Sequence, residues 1–133
     1  MAAQAPGPWT VALGLGALGN LANGAWMLAD PVSWYRLVPG VVGSGPLNEH
    51  FVRDIGSTFA VLGLAMGWAA LRPALRFPML ALVAAFYVLH ALVHVLDTVR
   101  GLFPAGQWAI DAVPVYLPAV LLTVLAGAAW RSR

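Results

Sequence analysis

Two histidines and an aspartate interrupt one strongly apolar stretch of the chain, residues 86–97. His90, His94 and Asp97 are spaced four and three residues apart, which places all three on one face if the stretch is helical. Ionisable groups inside a membrane-spanning helix are costly and usually face the interior of a helix bundle. We therefore expect the chemistry of this protein to lie on this face.

The composition indicates an integral membrane protein whose main partner is the lipid bilayer. Of 133 residues, 61% are hydrophobic and only 9% are charged, and the mean hydropathy is +0.81. Such a chain lacks the polar surface of a soluble globule. The absence of cysteine excludes disulfides, thiolate metal sites and dithiol redox chemistry. The basic residues are scattered arginines, which predicts no nucleic-acid partner.

Long apolar runs separated by short polar or Pro/Gly-rich segments predict an all-α fold. We expect one membrane domain, residues 1–133, forming an up-down-up-down four-helix bundle. The predicted spans are about residues 9–29, 50–71, 77–97 and 111–130. The connection between the first two spans is longer than an ordinary helix connection, which favours a functional loop over a simple linker. In the fourth span, Pro118 should loosen the helix.

The distribution of arginine predicts the orientation of the chain in the membrane. Arg72 and Arg76 lie in the turn between spans two and three, and Arg131 and Arg133 lie in the C-terminal tail, with no acidic residue near either group. Basic residues favour the cytoplasmic side. Both termini are therefore expected in the cytoplasm, and the long loop between helices 1 and 2 is expected to be extracytoplasmic.

The tight basic turn also predicts how spans two and three face each other. Because the connection is short, the two spans should be antiparallel neighbours with equal rise per residue. The residues expected at equal depth are His50 with Asp97, Asp54 with His94, and Ser57 with His90. A polar stripe on one helix would then face a matching stripe on the other.

Imidazole and carboxylate groups on two facing helices are typical of metal centres in helical bundles. We therefore predict a transition metal ion, Cu, Zn or Fe, used for redox chemistry or metal handling. The expected ligands are His50, Asp54, His90, His94 and Asp97. Nearby side chains expected to orient these ligands or to contact a substrate are Asn23, Arg53, Ser57, Arg100 and Tyr116.

The same residues are compatible with other functions, and the sequence does not decide whether the protein is an enzyme. Histidine–aspartate pairs without metal support acid–base catalysis on a lipid-soluble substrate. They also occur as structural pairs that hold helices together. The small size of the chain and the motif Gly63-x-x-x-Gly67 suit an accessory subunit of a larger membrane complex, or a homo-oligomer.

The first span contains the pattern Gly-x-Gly-x-x-Gly at residues 14–19. A dinucleotide-binding loop requires a preceding strand, and the sequence offers none. The glycines are instead expected to let a neighbouring helix approach closely.

Three segments carry a resemblance to a known family. Residues 23–40 read NGxWxLxDPxxWYxxxPG, residues 48–56 read NEHFVRDIG, and residues 90–101 read HxxxHxxDxxxG. This arrangement resembles small bacterial four-span membrane proteins of the broad DoxX-like type. The resemblance implies a bacterial inner-membrane location. It also implies a redox or quinone-side role, because some members are linked to quinone-coupled oxidation of sulfur compounds.

Overall fold

A computed structural model describes residues 7–104 and 106–132, and this part of the chain is helical with no strand. Four long helices account for most of it: α1 (Pro8–Ala29), α3 (Glu49–Leu71), α4 (Arg76–Val99) and α6 (Leu117–Arg131). Two short helices complete it: α2 (Pro31–Leu37) lies in the connection after α1, and α5 (Gln107–Asp111) begins the fourth span. The predicted all-α fold is confirmed.

Four segments are long and apolar enough to cross a membrane: Pro8–Ala29, Glu49–Leu71, Pro73–Val99 and Gln107–Arg131. Many large aliphatic side chains on these helices are exposed, including Leu15, Leu82 and Val124. A soluble protein of this size rarely leaves so much contiguous apolar surface in water. The fold is therefore consistent with an integral membrane protein.

Helices α1 and α3 pack backbone against backbone. A Cβ atom added to Gly24 would lie 2.6 Å from the carbonyl oxygen of Gly56, and one added to Gly63 would lie 2.9 Å from the carbonyl oxygen of Ala17. The later residue of α1, Gly24, contacts the earlier residue of α3, Gly56, while Ala17 contacts Gly63. The two helices are therefore antiparallel. Only glycine permits so close an approach.

The glycines of the Gly-x-Gly-x-x-Gly pattern do not make this contact. Cβ atoms added to Gly14 or Gly19 would meet nothing within 4 Å, and one at Gly16 would meet only the side chain of Met66. In the second span, Gly63 lies in the crossing, whereas a Cβ atom on Gly67 would reach only ordinary contact with Ala17. The predicted close approach of a neighbouring helix is therefore wrong for Gly14 and Gly19, and it occurs at Gly63.

A buried asparagine connects three helices near the middle of the bundle. The hydroxyl of Tyr87 on α4 donates to Asn20 Oδ1 at 2.9 Å. Asn20 Nδ2 donates to the carbonyl oxygen of Gly16 at 2.9 Å and lies 3.7 Å from Met66 Sδ on α3. Hydrogen bonds between apolar helices are worth about 0.6 kcal/mol on average in membranes, so Asn20 contributes to alignment more than to stability.

The segment after α1 is folded back onto that helix. Asp30 begins α2, and its carboxylate accepts a hydrogen bond from the backbone N–H of Ser33 at 3.0 Å. This hydrogen bond holds the pKa of Asp30 below its ordinary value. Trp34 Nε1 donates to Asn23 Oδ1 at 2.9 Å, which ties α2 to α1.

The rest of this connection is also ordered by its own hydrogen bonds. The hydroxyl of Tyr35 donates to the carbonyl oxygen of Gly45 at 2.7 Å, and a 3₁₀ turn occupies Val42–Ser44. The side chain of Asn48 accepts from the backbone N–H of Phe51 at 3.1 Å and caps α3. Asparagine is a preferred residue at this position.

The fourth span is not one regular helix. Between α5 and α6 the backbone forms a π-helical turn, Ala112–Tyr116, in which the N–H of Leu117 bonds to the carbonyl oxygen of Ala112. Pro114 and Pro118 cannot donate backbone hydrogen bonds, which favours such a wide turn. The predicted loosening near Pro118 is confirmed, and Asp111 and Val115 are both buried beside it.

At the opposite end of the bundle, aromatic residues of the first and last spans pack against the α3–α4 turn and the start of α4. The guanidinium carbon of Arg76 lies 5.4 Å from the ring centroid of Trp9 on α1. The ring centroids of Phe77 and Trp130 lie 4.9 Å apart. This end of the molecule, defined by Trp9, Arg76 and Trp130, is called the basic end below.

The α1–α3 crossing leads to a prediction about stability. Gly24→Ala should destabilise the protein by about 1–3 kcal/mol, because the new methyl group meets the backbone of α3. Gly14→Ala is the matched control, since it adds the same methyl group to open space and should be neutral or stabilise by about 0.5–1 kcal/mol. Unfolding by SDS in mixed micelles measures both changes. Equal stability of the two variants would contradict the assigned crossing.

Candidate functional site

The most buried ionisable contact of the described residues joins α4 to the fourth span. His94 Nδ1 lies 2.8 Å from Asp111 Oδ2, and the aspartate side chain is only 4% exposed. Gln107, one helical turn earlier in α5, donates from Nε2 to Asp111 Oδ1 at 2.8 Å. Each carboxylate oxygen therefore has a partner. Since a carboxylate accepts hydrogen bonds, we assign the proton of neutral His94 to Nδ1.

The two histidines of α4 belong to a column of aromatic rings. The His90 and His94 ring centroids are 4.7 Å apart. Phe86 stacks on His90 at 5.9 Å with nearly parallel planes, and Phe103 stacks on His94 at 6.0 Å. Within the described residues, neither the His90 nitrogens nor His94 Nε2 has a hydrogen-bond partner. These nitrogens are therefore available to a bound molecule.

The loop between α2 and α3 reaches this site at one point. Gly40 has a backbone φ of 83°, and a Cβ atom there would lie 2.7 Å from Gln107 Nε2. A side chain at this position would strain the backbone and displace the amide that orients Asp111. The loop therefore packs directly against Gln107, the residue that donates a hydrogen bond to Asp111.

The polar residues of α3 are satisfied within their own helix. His50 Nε2 lies 3.5 Å from Asp54 Oδ2, with side chains 88% and 62% exposed. Ser57 Oγ donates to the carbonyl oxygen of Asp54 at 2.7 Å. Arg53 pairs with Glu49 at 3.1 Å. All of these residues lie on the outer surface of the bundle.

The prediction that the polar stripe of α3 faces the stripe of α4 is therefore wrong. The helices are neighbours, since the Phe59 ring contacts Phe86 and Tyr87 at 5.8 and 6.3 Å. However, no hydrogen bond or ion pair between residues 7 and 104 joins His50, Asp54 or Ser57 to α4. The close packing of Gly56 on α1 fixes the rotation of α3 and turns its polar stripe outward.

The predicted metal-binding function is also wrong. Across residues 7–104 and 106–132, no group of three or more His, Asp or Glu side chains is arranged to hold a metal ion. The carboxylate and imidazole of α3 face outward, and the imidazole of His94 is engaged by Asp111. The predicted ligands therefore do not form one group: His50 pairs with Asp54 on the exposed surface of α3, and His94 pairs with Asp111.

The other predicted site residues are dispersed. Asn23 is held by Trp34, as described above. Arg100 is exposed, and the half-buried Asp97 has no side-chain hydrogen bond to any described residue. The hydroxyl of Tyr116 is buried without a partner in the described part of the chain, and its ring lies 6.1 Å from that of Trp108.

Sequence reasoning missed Asp111 and Gln107 as site residues. One signal was present, because Asp111 is the only acidic residue of the fourth span and lies at the same end as the histidines. Its pairing with His94 depends on the π-helical turn and on the loop that returns the chain to α4. Neither feature produces a periodic pattern that can be recognised in the sequence.

Comparison of the chain with protein-family models, with curated proteins and with solved structures yields no match. The resemblance to DoxX-like proteins therefore stays a prediction from the three motifs. Association with a larger membrane complex or with a second copy likewise stays a prediction. The function has to be argued from the side chains of the site.

The chain contains two His–Asp pairs, one buried and one exposed. The two pairs should contribute differently to the free energy of unfolding. Asp111→Ala leaves the His94 N–H and the Gln107 amide without a partner, which should cost about 1–3 kcal/mol of unfolding free energy. Asp54→Ala removes the exposed pair and should change stability by less than about 0.5 kcal/mol. SDS unfolding compares the two variants, and a larger loss for Asp54→Ala would contradict the structural assignment.

Proposed function

We propose that this membrane protein uses His94 as a metal-free acid–base group towards a lipid-soluble substrate. The observation that carries the proposal is the 2.8 Å contact between His94 Nδ1 and a carboxylate that is almost fully buried. Histidine is the side chain best suited to exchange protons near neutral pH.

The arrangement assigns separate tasks to the three side chains. Asp111 keeps the proton of neutral His94 on Nδ1, so the lone pair of Nε2 faces away from the carboxylate as a base. When Nε2 accepts a proton, the buried carboxylate stabilises the imidazolium that forms. Gln107 holds the second carboxylate oxygen, which limits rotation of Asp111 away from His94.

The surroundings favour an apolar substrate with one polar group. The His94 side chain is 22% exposed while that of Asp111 is 4% exposed, so the imidazole can be reached and the carboxylate is sealed. Phe86 stacks on His90 and Phe103 stacks on His94. The segment Pro73–Val99, which contains α4 and the turn before it, has the highest mean hydropathy of the four candidate spans. A molecule arriving from the lipid phase would meet the imidazole first.

Proton abstraction from a lipid-soluble ketone tests this proposal. Proteoliposomes in D₂O containing 2-decanone should exchange the α-protons of the ketone for deuterium, because Nε2 removes a proton and returns a deuteron. We expect the protein-dependent exchange rate to fall about tenfold or more in His94→Gln. Asp111→Asn should lower the rate as well, because the amide can present an N–H to the imidazole and reverse its tautomer. Mass spectrometry measures the exchange.

His50→Gln is the matched control, since His50 forms the exposed pair on α3 and should leave the rate unchanged. A purely structural role of the His94–Asp111 pair predicts equal rates in all four proteins. Exchange that is the same in wild type and His94→Gln would therefore reject the acid–base assignment.

We further infer an up-down-up-down arrangement of the spans with both termini in the cytoplasm, which opens the His94 site towards the extracytoplasmic side. The support is the separation of charge, because the basic end carries Arg72, Arg76 and Arg131 without an acidic side chain.

Because the chain has no cysteine, Ser44→Cys and Ser132→Cys can report on the two sides separately. A membrane-impermeant maleimide should label Ser44→Cys in intact spheroplasts and Ser132→Cys only after permeabilisation. Both serines are exposed, so accessibility to the reagent depends on the side of the membrane. The reverse labelling pattern would invert the orientation.

A further inference from the structure

The basic end contains a cavity that the acid–base site does not use. Its volume is about 610 Å³, and it lies between the α3–α4 turn and the end of α6. The lining includes Pro73, Arg76 and Phe77 from the turn and the start of α4, and Ala129 and Ser132 from the C-terminal end of the fourth span. Ligand sites commonly have volumes of about 300–1,000 Å³.

Arg76 gives this cavity a specific chemistry. Its guanidinium carbon lies 5.4 Å from the centroid of the Trp9 ring, so the aromatic face supports the charged group. Its Nε is buried and has no hydrogen-bond partner. A buried donor without a partner is costly, and the planar guanidinium is well suited to bind the oxygens of a phosphate.

The charge around the cavity is positive and not neutralised by acidic side chains. Arg72 and Arg131 directly precede the lining residues Pro73 and Ser132. None of the ion pairs among the described residues involves Arg72, Arg76 or Arg131. All five Asp and Glu residues of the chain lie outside this turn and the end of the fourth span.

The walls next to the cavity are apolar. The Phe77 and Trp130 rings pack at 4.9 Å, and Trp68 and Leu71 at the end of α3 are 58% and 75% exposed. Tryptophan is typical of the membrane–water interface, where lipid headgroups lie. A cationic recess at the end of candidate membrane-spanning helices whose apolar side chains are exposed suits a phosphate that carries acyl chains.

From these features we propose that the basic end binds the phosphate headgroup of an anionic phospholipid, with Arg76 as its central ligand. The lipid phosphate accepts hydrogen bonds from the guanidinium, and Arg72 and Arg131 add attraction at the rim. The acyl chains extend along the exposed apolar side chains of the helices. This site is separate from the proposed acid–base site and does not depend on it.

Native mass spectrometry of the detergent-solubilised full chain tests the proposal. Dioleoyl-phosphatidylglycerol should bind at least about tenfold more tightly than dioleoyl-phosphatidylcholine, because each arginine near the headgroup adds attraction for a lipid of net negative charge. Arg76→Gln should remove most of this preference, because Arg72 and Arg131 contribute only at the rim. Arg36→Gln is the matched control, because it removes an exposed arginine of α2, far along the chain from the cavity, and should retain the preference.

A second variant keeps the test valid if Arg76→Gln does not fold. Arg72 is exposed, so Arg72→Gln should keep the helix content of the wild type while weakening phosphatidylglycerol binding by about fivefold. Equal affinity of the wild type for the two lipids, or an affinity for phosphatidylglycerol that is unchanged in both variants, would overturn the proposal. Displacement of the bound lipid by millimolar inorganic phosphate would overturn the lipid assignment, because it would indicate a site for the free anion.

Discussion

The close contact between the backbones of α1 and α3 determines most of what is distinctive about this structure. Gly24, Gly56 and Gly63 allow an approach that no larger residue would permit. Such a contact fixes both the distance between the helices and the rotation of each about its axis. Because the glycine face of α3 is held against α1, the stripe that begins at His50 and Asp54 is turned outward. The position of every ionisable residue on α3 follows from an apolar packing requirement.

With α3 turned away, His94 on α4 meets a different acidic partner. A half-buried imidazole in an apolar span needs a hydrogen-bond acceptor, and the fourth span supplies Asp111. The π-helical turn allows this span to contain two prolines and still place a buried carboxylate beside His94. Gln107 completes the arrangement by occupying the second oxygen. A buried carboxylate hydrogen-bonded to an imidazole is costly to desolvate, and we interpret its retention as a means to orient a reactive group or to fix helix packing.

The two ends of the molecule have opposite chemical character. One end holds the acidic residues, the histidine column and the folded loop after α1, while the basic end holds arginines supported by aromatic rings. Asn20, between these ends, accepts the hydrogen bond from Tyr87 that connects α1 with α4. The central part of the bundle is otherwise apolar. Proton exchange and headgroup binding are therefore proposed at ends that have little polar connection through the bundle.

The amino-acid sequence by itself determined the number and apolar character of the long helices and an irregularity near Pro118, because each depends on local composition or on the backbone chemistry of one residue. It also located His90 and His94 on a single face of α4, since helical periodicity is a local property. Only the tertiary structure decided that His94 pairs with Asp111 and not with Asp54. That choice depends on the rotation of α3, which glycines on two distant segments set, and a helical pattern within one segment carries no information about that rotation.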